Sequence, residues 1–302
     1  MPQLRSDDLS IPRYHGPMVQ PVSSGYRFDP ADPRAPSEAE WERMSPEERA
    51  RVVDMLPAQP MLSALPPEGD THSKAAATAR STLDSFFRRI GRKIYISSNL
   101  AVYYPRERCF APDVIAVRDV ELRDRERWVV ADERRGIDLA IEVHVSGDRK
   151  KDEVENVDFY ARLGIEEYFF FDRSRLLVRG YRLPPAAPGR GSKRRAYLPI
   201  VPQEGRFPSE VLGLDMMLEG DKLRFLYGMA VVPEAEELIA KLGSALGQAI
   251  VAKEQAEERA LAEAERALAE AERALAEAER VAALEKELAE LRAENERLRS
   301  GR

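Results

Sequence analysis

The chain has 302 residues and a formal net charge of −6, with 43% apolar and 33% charged side chains. That is globular material with additional polar segments, and no run approaches the roughly 18 apolar residues of a membrane span, so no membrane partner is expected. A single cysteine, Cys109, allows no internal disulfide, and the start MPQLRSDDLSIPRYHG lacks a charged-then-apolar leader; both point to a reducing cytoplasm. The three histidines, His15, His72 and His144, have no second histidine or cysteine at zinc spacing, which argues against structural zinc. Charge is unevenly spread: residues 1–70 carry −5 and 233–302 carry −6, while 71–232 carry +5. The overall acidity therefore does not count against a polyanionic partner for the middle region.

Residues 1 to about 35 are rich in Pro, Asp, Ser and Gly without sustained periodicity, and read as disordered or extended. Ser45-Pro46-Glu47-Glu48 then predicts a short helix to about Met55: Ser45 caps, Pro46 suits the first turn, and Glu48 completes a capping box. Over 72–91, Ala76, Ala79, Leu83, Phe86, Phe87 and Ile90 fall on one stripe of an amphipathic helix that Gly91 ends. Strand-like runs follow at 93–97, 100–104, 114–117 and 138–145. A helix over 152–163 closes at Gly164, a buried strand covers 167–171, and a strand pair at 176–183 and 196–200 flanks the loop PPAAPGRGSKRR. This order predicts an α/β fold with a mixed sheet flanked by helices.

The tail has the clearest pattern. ALAEAER occurs at 260–266, 267–273 and 274–280, so Leu261, Leu268 and Leu275 recur every seven residues with Ala264, Ala271 and Ala278 three later. This is the a/d seam of a coiled coil. Leu284, Leu288, Leu291, Asn295 and Leu298 continue it after a register adjustment near Val281. Asn295 falls at an a position, where a buried amide favours an in-register pair.

Within 138–146, DLAIEVHVS, side chains alternate: Leu139, Ile141, Val143 and Val145 point one way, and Glu142 and His144 the other, about 7 Å apart. A carboxylate inside an apolar strand is expensive unless it meets a cation or other partners. Asp113, after Pro112, is a second carboxylate among apolar neighbours. Two such groups on adjacent strands repel unless a divalent ion bridges them, and that ion then serves phosphodiester hydrolysis as a Lewis acid. Arg149, Lys150 and Lys151 stand at the head of the next helix, where cations could meet a phosphate backbone. The cations of the 184–195 loop read as solubilising.

In order along 70–183, these features resemble the Uma family of restriction-endonuclease domains, within the PD-(D/E)XK nuclease superfamily. The matching residues are Gly69, Asp70 and His72, then Pro112-Asp113-Val114, Glu142-Val143, and a helix with Tyr160 leading into LGIEEYFFFD at 163–172. The resemblance implies a restriction-endonuclease-like fold, Asp113 and Glu142 as metal ligands with the backbone carbonyl of Val143, Mg²⁺ (or Mn²⁺) as cofactor, and DNA as substrate. The chain departs from the pattern in one respect. The superfamily places Lys two residues after the Glu, where this chain has His144; family members often carry that Lys four residues before the Tyr, where this chain has Asn156. Neutral Asn can orient a water but is no base near pH 7, whereas an imidazole such as that of His144 can be one.

The sequence thus predicts three parts: a Pro-rich, largely disordered segment with one short helix at 1–69, a nuclease-like domain at 70–232, and a coiled coil at 233–302. The expected function is a metal-dependent DNA endonuclease dimerised through residues 257–299, with Asp113, Glu142 and His144 catalytic and His72 and Asn156 as accessory residues. The alternative is a catalytically impaired nuclease-like binding or scaffold protein, which Asn156 favours.

Overall fold

The computed structural model describes residues 25–59, 69–146, 150–185 and 195–300, without the side chains of residues 151, 152 and 298–300. It divides into two units, Met1–Ala235 and Glu236–Arg302. In chain order the first unit has α1 (Glu38–Glu42), α2 (Pro46–Met55), α3 (Asp70–Ile90), β1 (Ile94–Ser97), β2 (Ala101–Tyr103), β3 (Val114–Arg118), β4 (Arg127–Val129), α4 (Val130–Glu133) and β5 (Leu139–His144). A π-helical turn (Lys151–Glu155) leads into α5 (Asn156–Leu163), followed by β6 (Glu167–Asp172), β7 (Leu177–Arg182), β8 (Leu198–Pro199), β9 (Arg206–Ser209), β10 (Leu214–Glu219), β11 (Lys222–Tyr227) and β12 (Ala230–Val231). The second unit is one helix, α6 (Ala235–Ser300).

The central sheet runs β1-β3-β5-β6-β7-β8. Its one parallel pair is β5 with β6, because only that connection contains a helix long enough to carry the chain back across the sheet. The other neighbours are antiparallel, so the expected mixed sheet is present. All six residues of β5 and all six of β6 are buried, since both faces are covered. On one face Leu139, Ile141 and Phe169 pack with Leu83 and Phe87 of α3. On the other, Ala140, Tyr168 and Phe170 pack with Phe159 and Tyr160 of α5. Each large aliphatic or phenyl side chain among these contributes about 1.5–3 kcal/mol by leaving water.

Helix α3 buries Ala76, Ala79, Thr82, Leu83, Phe86 and Phe87. Ile90, placed on that stripe by periodicity, is instead exposed. It occupies the final turn, and Gly91 then turns the chain away in the left-handed conformation at φ 71°. Gly164 ends α5 in the same way, at φ 83°.

Composition predicts a largely disordered segment through residue 69; for residues 25–59 the structure corrects this. The expected capping box of Ser45 and Glu48 opens α2, and a second, of Ser37 and Glu40, opens α1. Tyr26, Ala35, Trp41, Met44, Val52 and Leu56 form a core with Ala101, Tyr103 and Val129 of β2 and β4. A four-stranded antiparallel sheet, β12-β11-β10-β9, was not foreseen. Its Leu214, Met216 and Phe225 join the cluster beneath α3. It is tied to β6 by Glu167, whose carboxylate accepts from Arg182, Ser209 and the backbone N–H groups of Glu210 and Val211.

No side chain of α6 between 236 and 297 is buried. Leu261, Leu268 and Leu275 are each 64% exposed, and Leu284, Leu288 and Leu291 about half. Among the described residues, no helix is long and apolar enough to cross a membrane.

Candidate active site

Asp113 stands immediately before β3, and β3 pairs with β5 so that Val114 lies opposite Ile141. One step further along the ladder, Asp113 meets Glu142. The two are linked through backbone: Val143 N–H donates to Oδ2 of Asp113 at 2.7 Å, and the Asp113 N–H reaches Oε2 of Glu142 at 3.4 Å. Both residues are buried, at 5% and 8% exposure. The structure therefore brings together the two acidic residues singled out in the sequence.

Each carboxylate has its own holder. Nε2 of His72, in the first turn of α3, donates to Oδ2 of Asp113 at 3.0 Å. On the other side, Tyr160 O–H donates to Oε1 of Glu142 at 2.5 Å, and Asn156 Nδ2 approaches the same oxygen at 3.5 Å. Asn156 and Tyr160 are four residues apart on α5, so they share its inward face; both are buried. Burial and the neighbouring charge of Glu142 hold the Tyr160 phenol well above the usual tyrosine range, which keeps its proton in place as a donor. Tyr160 was not singled out as a site residue. Its spacing from Asn156 was the available signal, but which strand residue that helix face meets depends on the packing.

His144 lies two residues beyond Glu142 on β5, opposite Asp172 of β6, buried and with its ring 6.0 Å from Phe170. Lys150 is exposed at the start of the helical segment after β5. Arg149 lies outside the described residues, as does the side chain of Lys151. Of the loop cations, Arg195 donates to the Pro184 carbonyl.

A carboxylate pair of this kind is a candidate holder of a divalent ion. Magnesium takes oxygen ligands, keeps several of its waters, and is commonly held by one or two carboxylates. The donor set fits that demand. The contacts of Asp113 engage Oδ2 and its backbone N–H, and among the described residues no donor stands against Oδ1. Among the described residues, no group of three or more His, Cys, Asp or Glu side chains is arranged to hold a metal.

A family model described as "Putative restriction endonuclease" (Uma2) matches residues 60–212, half of the chain. The chain belongs to the Uma2 family. The match spans α3, the whole central sheet and the Asp113–Glu142 pair, so the α/β domain is restriction-endonuclease-like. The Uma2 assignment agrees with the resemblance carried by Asp113, Glu142 and Tyr160. Among curated proteins, none matches the chain.

Proposed function

We propose that the domain is a DNA endonuclease that hydrolyses phosphodiester bonds with a divalent ion, Mg²⁺ or Mn²⁺, held by Asp113 and Glu142. The observation that carries this reading is the buried, mutually linked carboxylate pair, which a cation would stabilise. When bound, the ion supplies Lewis acidity toward a phosphoryl oxygen and a more acidic water. The protein's own groups have separate tasks. His72 fixes the rotamer of Asp113; Tyr160 and Asn156 fix that of Glu142. His144 is proposed to accept the proton of the attacking water at a ring nitrogen. Lys150, with Arg149 and Lys151, is proposed to meet the DNA backbone. Self-association through residues 257–299 would set two such sites on one duplex.

A second reading has one specific observation in its favour. Asn156 occupies the position where family members often carry Lys, and it is 3% exposed beside Glu142. In that reading the fold binds nucleic acid or a partner and cleavage is weak or lost. Plasmid nicking with Mg²⁺ or Mn²⁺ separates the two, comparing wild type with Asp113→Ala and Glu142→Ala. Loss of nicking in both variants supports the endonuclease. Nicking that survives both removes the mechanism. An inactive wild type that gains cleavage on Asn156→Lys supports the impaired-site reading.

A further inference from the structure

The exposed leucines of α6 repeat on one side of a helix that buries no side chain between 236 and 297. A stripe of that kind marks an interaction surface. Val281, Leu284, Leu288 and Leu291 line one shallow apolar concavity on it, edged by Glu285 and Glu287. Leu288 and Asn295 take a positions and Leu284 and Leu291 take d, so Glu287 is a g residue and Arg292 the e residue of the next heptad.

That charge placement selects an orientation. In a parallel, in-register pair, g of one chain faces the following e of the other. Glu287 then meets Arg292 of the partner subunit on both sides of the Leu288 and Leu291 layers. In an antiparallel pair g faces g, which sets Glu287 against another glutamate, its own copy or Glu294, and the Glu287–Arg292 contact is lost even where Glu285 can meet Arg292 across the e–e side. Asn295 acts in the same direction: in register its amide meets its own copy, whereas a slip sets it against an apolar residue and leaves it unsatisfied.

The three identical heptads upstream behave differently. Ala at every d position and at every g position gives a thin seam with no g–e ion pairs, and a slip of seven residues leaves most of their pairing unchanged. They can lengthen a dimer but cannot set its register.

We propose that residues 281–295 are a parallel, in-register clasp for a second copy of this chain, and that the repeats at 260–280 are a spacer. The inference rests on the reading of the tail as a self-association element and adds its orientation and its register-setting residues. At 1.5 Å per residue, about 70 Å of helix separates Ala235 from Val281, and a parallel clasp starts both helices from the same end.

The test uses the full chain. On a Cys109→Ser background, Leu291→Cys is expected to give a covalent dimer on mild oxidation, because d residues of a parallel pair face each other. Glu287→Arg alone and Arg292→Glu alone are each expected to weaken dimerisation roughly tenfold by setting like charges across the seam, while their equimolar mixture recovers it as a heterodimer. Sedimentation showing a dimer, without the Leu291→Cys cross-link or without recovery in the mixture, overturns the parallel clasp and leaves self-association standing. A wild-type chain that sediments as a monomer at micromolar concentration removes both.

Discussion

Replacing Tyr160 with Phe deletes one hydroxyl and leaves the ring in place. That hydroxyl donates to Oε1 of Glu142 at 2.5 Å, with Tyr160 2% and Glu142 8% exposed. Water has little access to take over, and Asn156 at 3.5 Å is a weak second donor. A hydrogen bond to a charged acceptor is worth about 1.5–3 kcal/mol. For a domain of this size each kcal/mol moves Tm by about 2–4 °C, so Tyr160→Phe should lower Tm by about 3–12 °C. The attribution is checked by a double-mutant cycle with Glu142→Gln, read by calorimetry at pH 7, where the coupling should reach about 1 kcal/mol or more. A second readout is the rise in Tm on adding Mn²⁺, which should shrink in Tyr160→Phe because a loosened carboxylate binds less well. A variant that melts within about 1 °C of wild type, with zero coupling to Glu142, would show that the phenol does not hold the carboxylate.

Further perturbations address other parts of the molecule. Burial raises the pKa of Tyr26 to about 12, and those of Tyr103, Tyr104, Tyr160 and Tyr197 are also raised. Their folded values exceed the unfolded value near 10, so their contribution is complete below pH 10 and is lost as pH rises through the folded values. Denaturation followed through phenolate absorbance should show stability falling above pH 10, by up to about 1.4 kcal/mol per pH unit for each such phenol; a flat profile there would contradict the burial. Gly180→Ala puts a Cβ 2.7 Å from Phe169 and 3.2 Å from Ile200, and should destabilise by about 1–3 kcal/mol in urea titration. Glu167→Ala leaves the Ser209 hydroxyl and two backbone N–H groups without their acceptor, while Arg182 keeps Glu210 and the Pro208 carbonyl, and should cost about 1–3 kcal/mol for each buried donor left unpaired, read by urea titration. Lys150→Ala should reduce the salt dependence of DNA binding by about one unit in log–log slope, with little sequence preference.

The strands and helices around the site were legible because their patterns are local. DLAIEVHVS alternates, α3 repeats its apolar residues at helical spacing, and the Ser45–Glu48 capping box is complete within four residues. The convergence of Asp113 on Glu142 depends on the β3–β5 register, which the sequence could raise as an expectation but not fix. The role of Tyr160 was hidden for a similar reason, since a tyrosine on an apolar helix face reads as core until the strand beneath it is known. The N-terminal core of Tyr26, Trp41 and Leu56 escaped because its partners, Tyr103 and Val129, are far away in sequence and its own stretch is Pro-rich. The β9–β12 sheet escaped because its strands bury only scattered residues and show weak alternation.

The π-helical turn at Lys151–Glu155 makes the approach to the site sensitive to chain length. It feeds directly into the face of α5 that carries Asn156 and Tyr160. Each residue of a helix rotates its successor by about 100°, so removing one residue from this turn would swing that face away from Glu142 unless the next loop absorbed the change. A neighbouring sequence could keep every side chain named above and still lose the arrangement through a one-codon deletion there. Loop length at this point therefore belongs among the features that define the site, alongside the identities of its residues.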